Sequence, residues 1–427
     1  MIPPRMGKLG QVGSGSAGGS SAGGKWILFL AAAAAYWFDP SSGVSTALLW
    51  GTGLLGLWRL RQTQAAWRNP AGLLFGLGTL AAALSVAWSF HPAGTARDLV
   101  KSAPMALAAF ALPGICDRPG RIWAALVTSA GLVTARVGVD LARLVSELGW
   151  PEVLTAARFH HPYLYTHPNA ASMMAGLCIL VFAARGLAGA PGAGWKALLA
   201  AGIVVDLAYL EVMASRGPQI AFAVAALAFP AVLLPGGRAR LAALGLALAL
   251  GFGLWRVAGD LNPRFRDRTM ATFNERDKVW KHAKALADQR PVWGYGFGKK
   301  TFEKVVYDNP EQPAPALPFH YPHAHNYWLM LYFQGGAAGF GLWSLGWLAL
   351  AVRLGRFARR AEPAAGGRWA RLQARILPAL LGTSLFFILL YGVGDFPDHA
   401  IRHAQFYLLG LALALTAPPR TEAAPAP

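Results

Sequence analysis

Apolar runs of roughly 18 to 25 residues recur along nearly the whole chain, and a single long polar stretch, about residues 259–324, interrupts them. A run of that length spans a bilayer as a helix, because only a helix satisfies every backbone N–H and C=O within its own segment. The chain of 427 residues is 55% hydrophobic and only 14% charged. A soluble domain carries about a quarter charged residues. The long spans and the absence of period-two alternation argue against a transmembrane β-barrel. The fold class expected is all-α: a polytopic membrane protein with about twelve transmembrane helices and one large loop on the outer side.

The divisions follow from composition. Residues 1–24, rich in Gly and Ser, read as a disordered tail; 25–258 as transmembrane helices one to nine; 259–324 as the loop; 325–417 as helices ten to twelve; and 418–427 as a second tail. The spans fall near 25–39, 43–60, 71–90, 98–115, 121–147, 168–186, 195–214, 217–235, 239–258, 325–352, 372–394 and 400–417. No cleavable signal peptide is expected, since the first apolar run continues into further spans.

The formal net charge of +19 does not point to nucleic acid, because the arginines concentrate in short connections on one side. That side carries Arg59, Arg61, Arg68, Arg118, Arg121, Arg185, Arg238, Arg240 and seven arginines between Arg353 and Arg375. The positive-inside rule makes it cytoplasmic, with both termini inside and the loop outside. The loop is itself basic; long translocated segments are largely exempt from the rule. Cys116 and Cys178 form no disulfide framework or metal-ligand spacing.

Within the loop, Asn274–Gln289 has helical spacing, with Val279, Trp280, Ala283, Leu286 and Ala287 in one stripe. That pattern fits an amphipathic helix on the outer leaflet, or one packed on the loop's own core. Pro291 to Lys299 holds Gly294, Gly296 and Gly298, a spacing that superficially resembles a phosphate loop. No βαβ unit surrounds it, so a structural turn is the expected role. Ser215-Arg216-Gly217-Pro218 breaks two apolar helices at the membrane edge, where a guanidinium either snorkels to the interface or binds phosphate with its planar fork. His325-Asn326 opens a helix, whose N-terminal field disfavours imidazolium and suits a neutral proton acceptor. His320 and His323 raise metal binding, but no carboxylate or cysteine joins them at ligand spacing, so no metal is expected. His160, His161 and His167 fall on the same side, as do Asp395, able to orient a histidine or bind a sugar hydroxyl, and Asp398, read as satisfying a helix end.

Arg216 in its SRG break, Arg276, the Pro-x-x-Gly-x-Gly turn at 291–296 and HNYWLMLYFQGG at 325–336 follow one another in order. Together they resemble the O-antigen ligase and polymerase superfamily, most closely its ligases, over roughly residues 160–400. The resemblance implies a GT-C-like helical fold in the inner membrane of a Gram-negative bacterium. It implies a glycosyltransferase that needs no cofactor or metal and works at the periplasmic face. The donor would be a glycan on undecaprenyl pyrophosphate, and the acceptor a sugar hydroxyl of lipid A-core, in lipopolysaccharide biosynthesis. Arg216 and Arg276 take the positions of the family's pyrophosphate-binding arginines, and His325 that of its essential histidine. His161, His167 and Asp395 are further candidates. An O-antigen polymerase and a protein O-oligosaccharyltransferase share this donor chemistry. A lipid or sugar transporter is the rival from another class, against which stand the lack of an internal repeat and the gathering of charges at one face.

Overall fold

The computed structural model describes residues 43–58, 66–150, 152–157, 160, 167–189, 192–234, 238–239, 241–243, 245–246, 249, 276–309, 320–360, 368–396 and 399–417. The described residues are helical, with no strand among them. The helices are α1 (Gly43–Trp58), α2 (Pro70–Leu84), α3 (Pro92–Ile115), α4 (Pro119–Leu148), α5 (Glu152–Ala156), α6 (Pro168–Leu187), α7 (Ala193–Val212) and α8 (Arg216–Leu233). The later ones are α9 (Arg276–Ala287), α10 (Lys299–Tyr307), α11 (Tyr327–Arg360), α12 (Arg368–Gly394) and α13 (His399–Leu415). Four of them, α2, α3, α4 and α6, start on a proline, which has no N–H to leave unbonded in the first turn and whose φ already suits a helix.

Among the described residues, eight helices are long and apolar enough to cross a membrane, and α13 adds a shorter apolar one. The expected spans at 25–39 and, for the most part, 239–258 lie outside the described residues. α6 and α12 form the centre of the bundle and bury most of their surface against other helices. α4 and α7 leave Val139, Leu198 and Val204 exposed, as lipid-facing residues must be in a protein whose surrounding solvent is hydrocarbon. The chain alternates direction so that the starts of α6, α8 and α11 and the end of α12 gather at one end of the bundle. The arginine-rich end of α11 lies at the other.

The polar loop does not lay its amphipathic helix on lipid. α9 buries Val279, Ala283, Leu286 and Ala287 with Phe302, Val305, Met330 and Phe333 in a core of protein side chains. Of the two expectations, packing on protein is the one realised, because α10, which no periodicity had marked, and the start of α11 supply the opposing apolar face.

The glycine turn has a specific structural task. α11 is broken at Gly336, whose φ of 58° and ψ of −160° leave the helical region. In a continuous helix the N–H groups of Ala337 and Ala338 would bond the carbonyls of Phe333 and Gln334. Here they donate to Pro291 O and Val292 O at 2.7 and 3.2 Å, while Tyr295 N and Gly296 N donate to the Phe333 and Gln334 carbonyls at 2.9 and 3.0 Å. The turn is thus spliced into the break, and all four backbone groups are satisfied. Gly294 (φ 65°) approaches so closely that a Cβ would lie 2.6 Å from Phe333 O, and one on Gly336 would lie 2.3 Å from Val292 O. The resemblance to a phosphate loop is therefore accounted for by backbone meeting backbone.

Gly336→Ala is expected to lower stability by about 2 kcal/mol or more, from left-handed strain plus the clash. Gly335→Ala, with open space around its Cβ, leaves the melting temperature in detergent unchanged or raised. Equal melting temperatures for the two variants would contradict the splice.

Candidate active site

Asp395 sits just past the end of α12, is 5% exposed, and is the hub of the bundle end. A carboxylate removed from water needs partners for its lone pairs. Asp395 Oδ1 pairs with His325 Nδ1 at 2.7 Å and accepts from the Phe396 N–H at 2.8 Å. Its Oδ2 accepts from Tyr391 OH at 2.8 Å and Asn169 Nδ2 at 2.9 Å, with Arg276 Nη2 at 3.5 Å. Burial would raise this carboxyl, but the His325 hydrogen bond and the Arg276 charge outweigh it and hold the group well below the usual carboxylate range. Asp395 is therefore an anion throughout the neutral range.

Each partner arrives by a local rule. His325 stands two residues before α11, and Asn326 caps that helix by accepting from Leu329 N at 2.9 Å. Asn326 also donates to Val393 O at 3.0 Å, tying the start of α11 to the end of α12. His325 has φ 49°, one of two non-glycine residues with positive φ among the described residues. Histidine is among the side chains that enter this region more readily than most. Trp280 Nε1 bonds the His325 carbonyl at 3.3 Å and His325 N bonds His323 Nδ1 at 3.2 Å, so the unusual backbone is held on both sides. Arg276 opens α9 and also donates to the Gly394 carbonyl.

The other strained residue, Ala214 (φ 44°), directly precedes Ser215-Arg216, where α7 turns into α8. Gly217, next to Arg216, would place a Cβ 3.6 Å from the Tyr391 ring, and Tyr391 hydroxyl bonds Asp395. Arg216 is thus brought to the same bundle end through one intervening aromatic ring. His167 caps α6 by accepting from Asn169 N at 3.2 Å, and Asn169 then reaches Asp395. Its role in the geometry is to aim Asn169. His161 and Asp398 lie outside the described residues.

Asn169 and Tyr391 were not singled out from sequence. Each lies inside an otherwise ordinary helix end, and nothing in their spacing announces a shared carboxylate more than two hundred residues away in one case. His323 is buried at 7% exposure, and burial, with help from His325 and Lys299, holds it well below the usual histidine range, hence neutral. The fold also supplies the carboxylate that the spacing of the histidines lacked: His323, His325 and Asp395 each bring a potential metal-ligand atom within 4.8 Å of the others. His325 Nδ1 and Asp395 Oδ1 are already engaged with each other in a hydrogen bond.

Chemically, the pair is a histidine oriented by a buried carboxylate. A neutral imidazole donating from Nδ1 to Asp395 keeps its lone pair on Nε2, the arrangement of a general base. Asp395→Asn removes the anion that Arg276 and His325 both contact, so a loss of about 3 kcal/mol of stability at pH 7 is expected. Because the folded-state carboxyl is depressed, the wild-type advantage is complete above pH ~4 and shrinks as pH falls below it. Chemical-unfolding curves at pH 7 and pH 3 check this; a gap that widens toward acid would refute it.

Residues 201–344 match the family model described as O-Antigen ligase (Wzy_C). The matched stretch contains Arg216, Arg276 and His325 and ends before Asp395. No curated protein was similar enough to the chain to stand as a relative. The family match agrees with the order of the motifs, and it supports placing the chain in the O-antigen ligase superfamily.

Proposed function

We propose that this protein is an O-antigen ligase, transferring a glycan from undecaprenyl pyrophosphate to a sugar hydroxyl of lipid A-core at the periplasmic face of the inner membrane. The observation that carries the reading is the meeting of His325, Asp395 and Arg276 at the bundle end where α8 begins with Arg216. The family match and the membrane-spanning helices support a lipid-linked glycan as substrate.

In this reading His325 Nε2 accepts the proton of the acceptor hydroxyl, whose oxygen attacks the anomeric carbon. The bond between that carbon and the pyrophosphate oxygen breaks, and the electron pair leaves on undecaprenyl pyrophosphate. Attack from the face away from the leaving group inverts the anomeric centre. Asp395 stabilises the imidazolium that forms and does not itself take the proton. Its five contacts already fill the carboxylate, which argues against a covalent glycosyl intermediate on this residue. Arg216 and Arg276 bind the pyrophosphate; a guanidinium offers five N–H donors, more than the two contacts seen for Arg276 consume. Preorganised cations of this kind stabilise the charge that builds on a leaving group.

The test is transfer by purified protein from carrier-linked glycan to lipid A-core with a chelator present. His325→Ala is expected to retain donor binding and lose turnover by at least about a hundredfold. Arg216→Ala is expected to weaken donor use by about 2–5 kcal/mol, with Arg216→Lys also impaired because an ammonium lacks the fork. Undiminished transfer by His325→Ala would sink the base assignment. Joining of two carrier-linked glycans, with lipid A-core ignored, would make the protein a polymerase.

A further inference from the structure

The end of the bundle opposite Asp395 concentrates charge of one sign. α11 finishes with Arg353, Arg356, Arg359 and Arg360. A helix C-terminus is worth about half a negative charge, so it favours one cation in the last turn and leaves the others uncompensated. From Ala337 to Gly394 the sequence sets seven arginines against one acidic residue, Glu362, so carboxylates of this stretch cannot balance them. Arg356, Arg359 and Arg360 make no ion pair among the described residues. Arg353 lies within electrostatic reach of both Arg356 and Arg360, and like charges three or four residues apart on a helix repel.

Tertiary contacts bring a further arginine to this rim. Arg353 Nη2 donates to the Thr416 carbonyl, just past the end of α13, at 2.9 Å, and Asn69 Nδ2 donates to Thr416 Oγ1 at 2.9 Å. Asn69 caps α2, so its exposed neighbour Arg68 stands where α2, α11 and α13 are tied together. Further into the bundle, α11 turns Leu345, Leu348 and Val352 outward, exposed at 54, 61 and 42%. Arg356 and Arg359 follow Val352 by four and seven residues and extend the same face of the helix. Gly355, also exposed, has open space around the position of a Cβ and leaves room beside Arg356. Snorkelling to water serves an isolated arginine at a membrane edge. A cluster of them at the foot of a hydrocarbon-facing strip matches an acyl chain joined to a phosphate.

We propose that this rim binds an anionic phospholipid, whose phosphate is held by Arg356 and Arg359 and whose acyl chain lies along Leu348 and Val352. A guanidinium fork grips two phosphate oxygens at once. Arg68, Arg353 and Arg360 add to the positive field around the headgroup. The bound anion relieves the repulsion within α11, so the lipid stabilises the folded bundle by mass action. The proposal requires only that these helices span a bilayer and is independent of the reaction at the opposite end.

The test melts the purified full chain, delipidated in an uncharged detergent, with phosphatidylglycerol, with phosphatidylcholine of the same chains, or with glycerol 3-phosphate. Phosphatidylglycerol is expected to raise the melting temperature by about 3 °C or more, and the other two by less than about half as much. Combining Arg356→Gln with Arg359→Gln should remove more than about half of that shift, while Arg356→Lys with Arg359→Lys keeps part of it. Arg118→Gln with Arg238→Gln takes the same charge from exposed arginines elsewhere on that side and should keep the shift whole. Native mass spectrometry should show phosphatidylglycerol retained by the wild type and lost from the Arg356/Arg359 glutamine variant, a readout separate from thermal stability. A full shift in that variant overturns the site. Equal losses in the two glutamine pairs reduce the effect to general electrostatics and overturn it as well. Equal stabilisation by glycerol 3-phosphate overturns the lipid assignment, because a soluble phosphate would then suffice.

Discussion

A carboxylate enclosed at the end of a helical bundle must be neutralised, and the way Asp395 is neutralised organises this protein. Its oxygens collect His325 from the start of α11, Arg276 from the start of α9, Asn169 from the start of α6 and Tyr391 from the last turn of α12. Four helices are therefore held at one end by groups that cannot be separated without stranding a buried charge. The same contacts orient the imidazole, so the network that closes the bundle also positions the side chain we propose as the base. Stability and chemistry share one set of hydrogen bonds.

A second constraint keeps that end in place. α11 carries His325 at its mouth but cannot run straight through, because Gly336 breaks it. The break exposes two carbonyls and two N–H groups within the apolar region, a costly state in hydrocarbon. The Pro291–Gly296 turn satisfies all four of those backbone groups, and in doing so it anchors the polar loop to the membrane helices. Arg290 over Tyr295 and the stacked Tyr295–Phe333 rings reinforce the joint. α9 and α10 are consequently fixed relative to His325, which gives Arg276 and Lys299 defined positions instead of the freedom of surface residues.

Legibility differed by residue. The transmembrane character, the loop, the helix opening at Asn326 and the candidacy of Arg216, Arg276 and His325 could all be read, since each depends on local composition or on a motif of neighbouring residues. Asp395 could be named as an acid near a membrane surface, but not as the partner of His325, seventy residues earlier in the chain. Asn169 and Tyr391 gave no signal, because an amide and a phenol in helix ends are commonplace until a carboxylate is placed beside them. The lipid-surface expectation for α9 failed for a related reason: an amphipathic stripe specifies that an apolar face must be covered, without saying whether lipid or protein covers it. Lys299 is separated from Phe396 and Arg402 by two long helices, so their convergence was invisible to spacing.

What the chain's own order of residues determined was the class of solvent, the helical periodicity and the residue types available for chemistry. These follow from short-range physics: backbone groups in hydrocarbon must bond within the segment, and prolines, glycines and caps act over a single turn. Which carboxylate meets which histidine, and which backbone fills the gap in α11, were decided only by tertiary structure. Those outcomes depend on how antiparallel helices stack and in what register, a free energy summed over many distant contacts that no local pattern encodes.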